Sequence, residues 1–353
     1  MNPAPPPPPT LRAIATRAGV SVATVSLALR DHASLPLRTR QRIQRLAARM
    51  GYQIDPKVAK LMAYLRQRRR VRTTSALGLV NMYAEATPWR RNPFLRRLHG
   101  AASQRAAQFG YELVDCWLTE PGMTPARMRD ILLARGIEGL IFMGAPQWRA
   151  ALDFDLSRFA CAALGYSLRI PLHRACQHQY QEMFTLLGQL DRLGYRRPGL
   201  MLTDDADQRT RHHWSAAFLS WQQTRRTADR VPLLRAARLD QPTFRRWFDR
   251  QRPDVVIAQS PSASTICGWL ADAGAPVPQA CGFADLDVDP TPGDTSSGIR
   301  QNYEQVAAAA VDLVVAQILR NEHGIPAHPK VVLIEGEWVD GGTTREPGEI
   351  RNR

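Results

Sequence analysis

The chain has 353 residues, of which 44% are hydrophobic and 22% charged. That length suits two or three compact units, and the composition excludes disordered and fibrous classes. The net charge of +15 is unevenly spread: residues 1–75 hold fifteen Lys and Arg against two acids, Asp31 and Asp55, while the other 278 residues carry only +2. A basic head on a near-neutral body is the charge pattern of a polyanion-binding module joined to something else. No apolar run approaches the roughly 20 residues of a bilayer span, so no membrane partner is expected. The cysteines (Cys116, Cys161, Cys176, Cys267, Cys281) are scattered and form no C-x-x-C. The chain begins without a basic n-region or an apolar h-region, which predicts a cytoplasmic protein with reduced thiols.

In chain order, Pro5–Pro9 predicts an extended tail over residues 1–9, disordered and proline-rich. Thr10 reads as a helix N-cap. Leu11, Ile14, Ala15 and Ala18 then fall on one helical face, and Gly19 stops the helix in a left-handed turn. Ser21 caps a second helix from Val22 to about Arg30, with Val25 and Leu29 inward. Val22, Ala23, Ser26, Leu27 and Arg30 form its exposed strip. A third helix follows from about Leu37 to Met50. Ile43, Leu46, Ala47 and Met50 face its core, and Arg38, Arg42, Arg45 and Arg49 form a basic stripe beside them, placed for phosphate contact. Two short helices on a tight glycine turn predict an all-α helix-turn-helix head over 10–54, whose second helix enters a major groove.

The ungapped run Thr10-Leu-Arg-Ala-Ile-Ala-x-x-Ala18-Gly19-Val20-Ser21-x-x-Thr24-Val25-Ser26-x-x-Leu29, then Thr39-Arg40-x-Arg42-Ile43 and Gly51-Tyr52, resembles the DNA-binding head of the LacI/GalR family of bacterial transcriptional regulators. The resemblance implies contacts to double-stranded operator DNA from Thr10, Ser21, Val22, Ala23, Thr24, Ser26, Leu27, Arg30, Thr39, Arg40 and Tyr52. It also implies a hinge helix within a basic linker over 55–75, where Lys57 meets DNA and Leu61 wedges into the minor groove, kinking the duplex. Three positions depart from the family pattern. Leu27 stands where arginine or histidine is frequent, and offers apolar contact rather than a fork to guanine. Pro36 replaces a capping serine, and Ala59 a hinge arginine.

From Ala76 the pattern changes to short apolar runs alternating with helices. Candidate strands are 76–84, 111–118, 139–144 and 161–166, then 199–203, 231–236, 254–260 and 280–284. Candidate helices include 93–108, 125–134, 182–193, 209–223 and 243–250, with a last helix over 303–320 and a last strand over 330–339. Strand–helix alternation in two series predicts an α/β body of two Rossmann-like subdomains. Their bounds are about 76–167 with 299–325, and 168–298 with 326–345. No dinucleotide, P-loop, G-x-S-x-G or H-E-x-x-H motif is present, so no cofactor, metal or enzymatic activity is expected. His212 and His213 are adjacent and would point about 100° apart on a helix, a poor pair of metal ligands.

This body resembles the periplasmic-binding-protein-like effector domain of the same family, through Asn92-Pro93-Phe94, Gly194-Tyr195-Arg196-Arg197-Pro198, Pro253-Asp254-Val255-Val256 and Gly282-Phe283. The resemblance implies a homodimer on a pseudo-palindromic operator, controlled by a small molecule, such as a carbohydrate, in the cleft between subdomains. It carries over Arg211 as the gripping arginine, with Trp214 in place of a glycine, Gln259 in place of an asparagine, Asp285 one step beyond the usual effector-binding aspartate, and Gln301. Phe94 belongs to the first-helix motif. Asn81, Tyr83, Trp89 and Tyr166 lie at or near strand ends, where aromatic faces can stack on a ring. The alternative reading is a ligand-independent DNA-binding protein with a vestigial effector domain. Leu61→Ala is expected to weaken operator binding about tenfold or more, since a wedge contributes a few kcal/mol, while ligand affinity stays unchanged; fluorescence anisotropy beside calorimetry checks both.

Overall fold

The structure is a computed structural model and describes residues 10–29, 34–52, 75–288 and 295–346. The expected tail (1–9), Arg30, and the hinge and linker with Lys57 and Leu61 lie outside the described residues.

The head is three helices, α1 (Leu11–Ala18), α2 (Val22–Leu29) and α3 (Leu37–Arg49). Thr10 accepts the Ala13 N–H at 3.2 Å and Ser21 the Thr24 N–H at 3.1 Å, so both expected caps form. Gly19 takes φ 67°, the left-handed value that ends α1 without a Cβ penalty. Ile14, Val25 and Ile43 are fully buried, and Ala15, Ala18, Ala28 and Ala47 fill the crossings. Alanines there let three short helices approach closely around a small core. The inward residues of α2 are thus Val25 and Ala28, with Leu29 only half-buried.

Helix α3 ties the other two at their carbonyl ends. Arg42 donates to the Ala18 carbonyl at 3.0 Å and Gln44 to the Ala28 carbonyl at 2.9 Å, satisfying groups that a helix terminus leaves without intrahelical partners. One member of the expected phosphate-facing stripe, Arg42, therefore holds the fold together. Pro36 contributes no side-chain cap to α3, as its lack of a side-chain acceptor requires.

The body follows in chain order: β1 (Ser75–Asn81), α4 (Pro93–Gln108), β2 (Tyr111–Trp117), α5 (Pro125–Ala134), β3 (Gly139–Phe142), β4 (Ala160–Leu164) and β5 (His173–Gln177). The chain then enters a second unit with α6 (Gln179–Arg192), β6 (Pro198–Thr203), α7 (Asp204–Arg209), α8 (His213–Gln223), β7 (Leu234–Ala236), α9 (Gln241–Gln251), β8 (Val255–Ala258), α10 (Ala263–Asp272), β9 (Gly282–Asp285) and β10 (Gly298–Arg300). It returns for α11 (Tyr303–Arg320) and β11 (Val331–Ile334), and crosses once more into β12 (Glu337–Val339). The first sheet has the order β11-β5-β4-β3-β1-β2 and the second β12-β10-β9-β8-β6-β7. All pairings are parallel except that of β12 with β10. Helices cover both faces of each sheet, so the central strands β3, β4, β8 and β9 are buried along their whole length.

The expected subdomain bounds need correction at each crossing. Residues 173–177 pair with β4 in the first sheet rather than opening the second half. This strand reads as polar because it holds a buried arginine: Arg174 donates to the carbonyls of Gly165, Leu168 and Ile170, pinning the loop before it. Gly298–Arg300 closes the second sheet instead of starting the return to the first. The single strand expected over 330–339 is two, broken at Glu335-Gly336, with β11 in one sheet and β12 in the other. The expected helix 209–223 is also interrupted. Arg211 and His212 adopt left-handed φ of 52° and 62°, held by fully buried Asp207, which bonds His212 Nδ1 at 2.7 Å and accepts the Ser215 hydroxyl at 2.6 Å.

Gly298, at φ 155°, lies so close to β9 that a Cβ would stand 2.0 Å from the Asp285 carbonyl oxygen. Gly298→Ala is therefore expected to destabilise the body by about 3 kcal/mol, read as a lower urea midpoint in equilibrium unfolding.

Candidate functional site

A cavity of about 240 Å³ lies between the two units, at the carboxyl ends of their strands. The first unit supplies Tyr83, Phe94, Met143 to Ala145, Tyr166, Ser167 and Gln177. The second supplies Arg209, Thr210, Trp214, Gln259 and Asp287. Gln179, Gln301 and Tyr303 come from the crossings. Of the ten residues expected here, Tyr83, Phe94, Tyr166, Trp214, Gln259 and Gln301 line the cavity.

The other four stand elsewhere, each for a visible reason. Asn81 is fully buried at the end of β1. Its Nδ2 donates to the Glu85 and Ala86 carbonyls at 2.6 and 3.1 Å, and its Oδ1 accepts the Tyr83 N–H at 2.8 Å, so it shapes the turn that carries Tyr83. Trp89 is core, stacked on His99 with ring centroids 4.5 Å apart. Arg211 stands behind Tyr166, its guanidinium 5.4 Å from the ring centroid, because the left-handed turn carries it off the lining. Asp285 ends β9 and accepts the Asp287 N–H at 2.9 Å, leaving Asp287 to reach the cavity.

Sequence reasoning missed Gln177, Gln179, Arg209, Thr210, Asp287 and Tyr303. Gln177 ends a strand that had not been recognised, and the strand-end rule would have found it once β5 was read. Arg209 carries an i, i+4 pairing with Asp205 that was legible, but its reach across the cleft was not. Its Nε donates to Asp205 at 2.7 Å, Nη1 to the Ala145 carbonyl at 3.0 Å and Nη2 to the Pro146 carbonyl. The guanidinium thus bridges the units.

Other contacts hold the crossings at this level. The Tyr303 hydroxyl donates to Asp287, Gln301 Nε2 to the Leu286 carbonyl at 2.9 Å, and Asn302 Nδ2 to the Glu335 carbonyl at 2.6 Å. Burial raises the phenol pKa values of Tyr303, Tyr166 and Tyr83, with Asp287 adding to the effect at Tyr303. These phenols therefore remain protonated. Gln179 Oε1 and Trp214 Nε1 are shielded from solvent and have no hydrogen-bond partner among the described residues. No grouping of three or more His, Cys, Asp or Glu suited to a metal occurs among the described residues.

On the head, Val22 is 42% exposed and Ala23, Thr10 and Ser21 are exposed, while Thr24, Ser26, Leu27, Thr39, Arg40 and Tyr52 are half-buried. Tyr52 packs against the three-helix core and its N–H bonds the Ala47 carbonyl at 3.0 Å. One edge of α2 is thus presented outward, with its hydroxyls at the first turn.

Residues 10–55 match the bacterial regulatory proteins of the lacI family, and residues 187–344 match the periplasmic-binding-protein-like domain. The two matches together span more than half of the chain. The chain belongs to the LacI family of DNA-binding transcriptional regulators. A curated relative, an uncharacterized HTH-type transcriptional regulator in the aml 5′ region of Streptomyces limosus, is 27% identical over 206 residues, 56% of this chain and 53% of that protein. The chain thus matches about half the length of that relative. The same fold occurs in the transcriptional regulator CelR in complex with cellobiose (TM-score 0.53, 16% identity, 95% of this chain and 99% of that one). It also occurs in the lac repressor dimer bound to operator and the anti-inducer ONPF (0.52, 17%, 96% and 99%). A third example is a LacI regulator from Alkaliphilus metalliredigens QYMF complexed with D-xylulofuranose (0.52, 15%, 77% and 100%). No described helix of this LacI-family chain is long and apolar enough to cross a membrane.

Beneath the cavity floor Glu182 is 2% exposed, accepting the Gly336 N–H at 3.1 Å. Burial, with Asp287 and Glu335 nearby, pushes its carboxyl up to about 8 from 4.5. The folded chain therefore favours the protonated form, and the stability this acid contributes is present below pH 4.5 and lost as pH rises toward 8. Glu182→Gln is expected to leave the melting temperature near that of the parent at pH 5 and to raise it at pH 8, as calorimetry across that range would show.

Proposed function

We propose that this regulator is a homodimeric repressor whose affinity for a pseudo-palindromic operator is controlled by a small metabolite, a carbohydrate or related molecule, bound in the cleft. The observation that carries the reading is the joint presence of a capped helix pair with an outward α2 edge and a cavity whose walls come from two units linked by three passages of chain. On this reading Val22, Ala23, Ser26 and Leu27 meet base edges and the arginines of α3 other than Arg42 meet phosphates. The weakly polar edge favours apolar contact with thymine methyls at Leu27 over a guanine fork.

Ligand binding changes how the units meet across Arg209 and Tyr303. The change passes to the head, and operator affinity shifts through linkage of two sites by one two-state element. The ligands printed for the similar structures, cellobiose and D-xylulofuranose, support a carbohydrate as the ligand class. A lined cavity with aromatic faces and amides favours a working effector site over a vestigial one.

The test is anisotropy of the full-length protein against an operator selected from random duplexes and its scrambled control. Selective binding in the nanomolar range is expected, with affinity falling by roughly 0.9 log units per released counterion for each tenfold rise in salt. Equal affinity for the two duplexes would reject the regulator reading.

A further inference from the structure

We infer that the cleft takes a neutral, single-ring polyhydroxylated ligand and discriminates against its phosphorylated and carboxylated counterparts. The inference rests on the effector reading above and names what that site selects. Two charged side chains line the cavity among the described residues, Arg209 and Asp287, and the protein itself engages both. Each of the three nitrogens of Arg209's guanidinium already donates one hydrogen bond, to Asp205 on its own helix and to the Ala145 and Pro146 carbonyls across the cleft. Recognition of a phosphate or carboxylate needs charged N–H donors free to converge on it. Releasing Arg209 for that purpose would break its bonds to the first unit. Asp287 accepts the Tyr303 hydroxyl and leaves negative charge at the wall, which opposes an anion further. Arg211 is off the lining, its guanidinium 5.4 Å from the Tyr166 ring centroid, and Arg174 behind the same wall is committed to the Gly165, Leu168 and Ile170 carbonyls.

The rest of the wall suits hydroxyls. Gln177, Gln179, Gln259 and Gln301 each carry a donor and an acceptor, the same pair that a hydroxyl offers. Gln301 already spends its Nε2 on the Leu286 carbonyl, and Gln179 Nε2 reaches Gln177 Oε1 only at 3.5 Å. The unsatisfied Gln179 Oε1 and Trp214 Nε1 add one acceptor and one donor to the same wall. Leaving such atoms unpaired is costly, so a ligand that draws them into hydrogen bonds gains from relieving them. Phe94 and Tyr303, edge to face at 4.4 Å, together with Tyr83 and Tyr166, supply apolar surface for a ring. At about 240 Å³ the cavity falls below the roughly 300–1,000 Å³ typical of drug-sized ligands, which fits one ring rather than two.

The experiment is isothermal calorimetry and thermal shift on the full-length protein with D-glucose, D-galactose, D-xylose and myo-inositol, and with glucose 6-phosphate and glucuronate as charged counterparts. Saturable binding of at least one neutral probe is expected, with each charged counterpart at least tenfold weaker than the best neutral one. Gln177→Leu and Gln259→Leu, which remove an amide at similar volume, are each expected to weaken the best neutral probe at least tenfold. Equal or tighter binding of a charged probe, no binding of any neutral probe, or unchanged affinity in both variants overturns the inference. Operator anisotropy on the same preparations separates the two levels. If selective DNA binding persists, the selectivity assigned to the cleft is wrong and the regulator reading stands; if it is absent, the regulator reading itself has failed.

Discussion

Three passages of the chain between two parallel sheets govern the body, because each must cross where the cleft lies. The passages follow β5, β10 and β11, and all are short. Short crossings force close backbone approach. A Cβ on Gly336 would sit 2.8 Å from the Arg300 carbonyl oxygen, so only glycine fits where two passages run side by side. The same crowding buries Glu182, whose carboxyl oxygen accepts the Gly336 N–H, and places Gln301 and Tyr303 at the cavity wall. Side chains on or next to the crossings therefore both hold the units and face whatever lies between them.

This coupling gives the polar groups at the cleft a double duty. Arg209 and Tyr303 bridge units that otherwise share little packing, since the four apolar clusters of the body divide cleanly between the sheets. The bridges are hydrogen bonds to carbonyls and a carboxylate, and each is worth far less than the apolar burial within a unit. Such an arrangement favours relative movement of two rigid units, because the weak contacts lie between them and the strong ones within. A site lined from both sides is then sensitive to that movement, which is the physical requirement for a ligand to bias one arrangement over another.

The head meets a different constraint, the small size of its core. Three helices of eight, eight and thirteen residues cannot bury much area. Alanines at the crossings shorten the distances, and α3 supplies Arg42 and Gln44 to the carbonyl ends of its neighbours. Capping then adds to burial in holding the head, and the Val22 and Ala23 end of α2 stays exposed. The basic excess of the first fifth of the chain is partly internal in use, since one arginine of the α3 stripe serves the fold.

The amino-acid sequence by itself determined the helix-turn-helix, because caps, a left-handed glycine and an i, i+3, i+4 apolar face are local rules that need no partner. It likewise determined the two-series α/β body, since buried parallel strands read as apolar runs. It did not reveal β5, whose His173 and Arg174 look like surface residues and are satisfied by the distant Lys330 amide and by three carbonyls of the preceding loop. Of the expected residues that line the cavity, Tyr83 and Tyr166 were legible from strand ends, and Phe94, Trp214, Gln259 and Gln301 from the family resemblance. Arg211 and Asp285 were misplaced by a turn and a bulging loop whose geometry depends on Asp207 and on the Asp287 amide. Tertiary structure alone decided which unit each crossing strand joins and which charges are engaged across the cleft. Both depend on contacts between residues far apart in the chain, such as Arg209 with Ala145, and no local pattern encodes them.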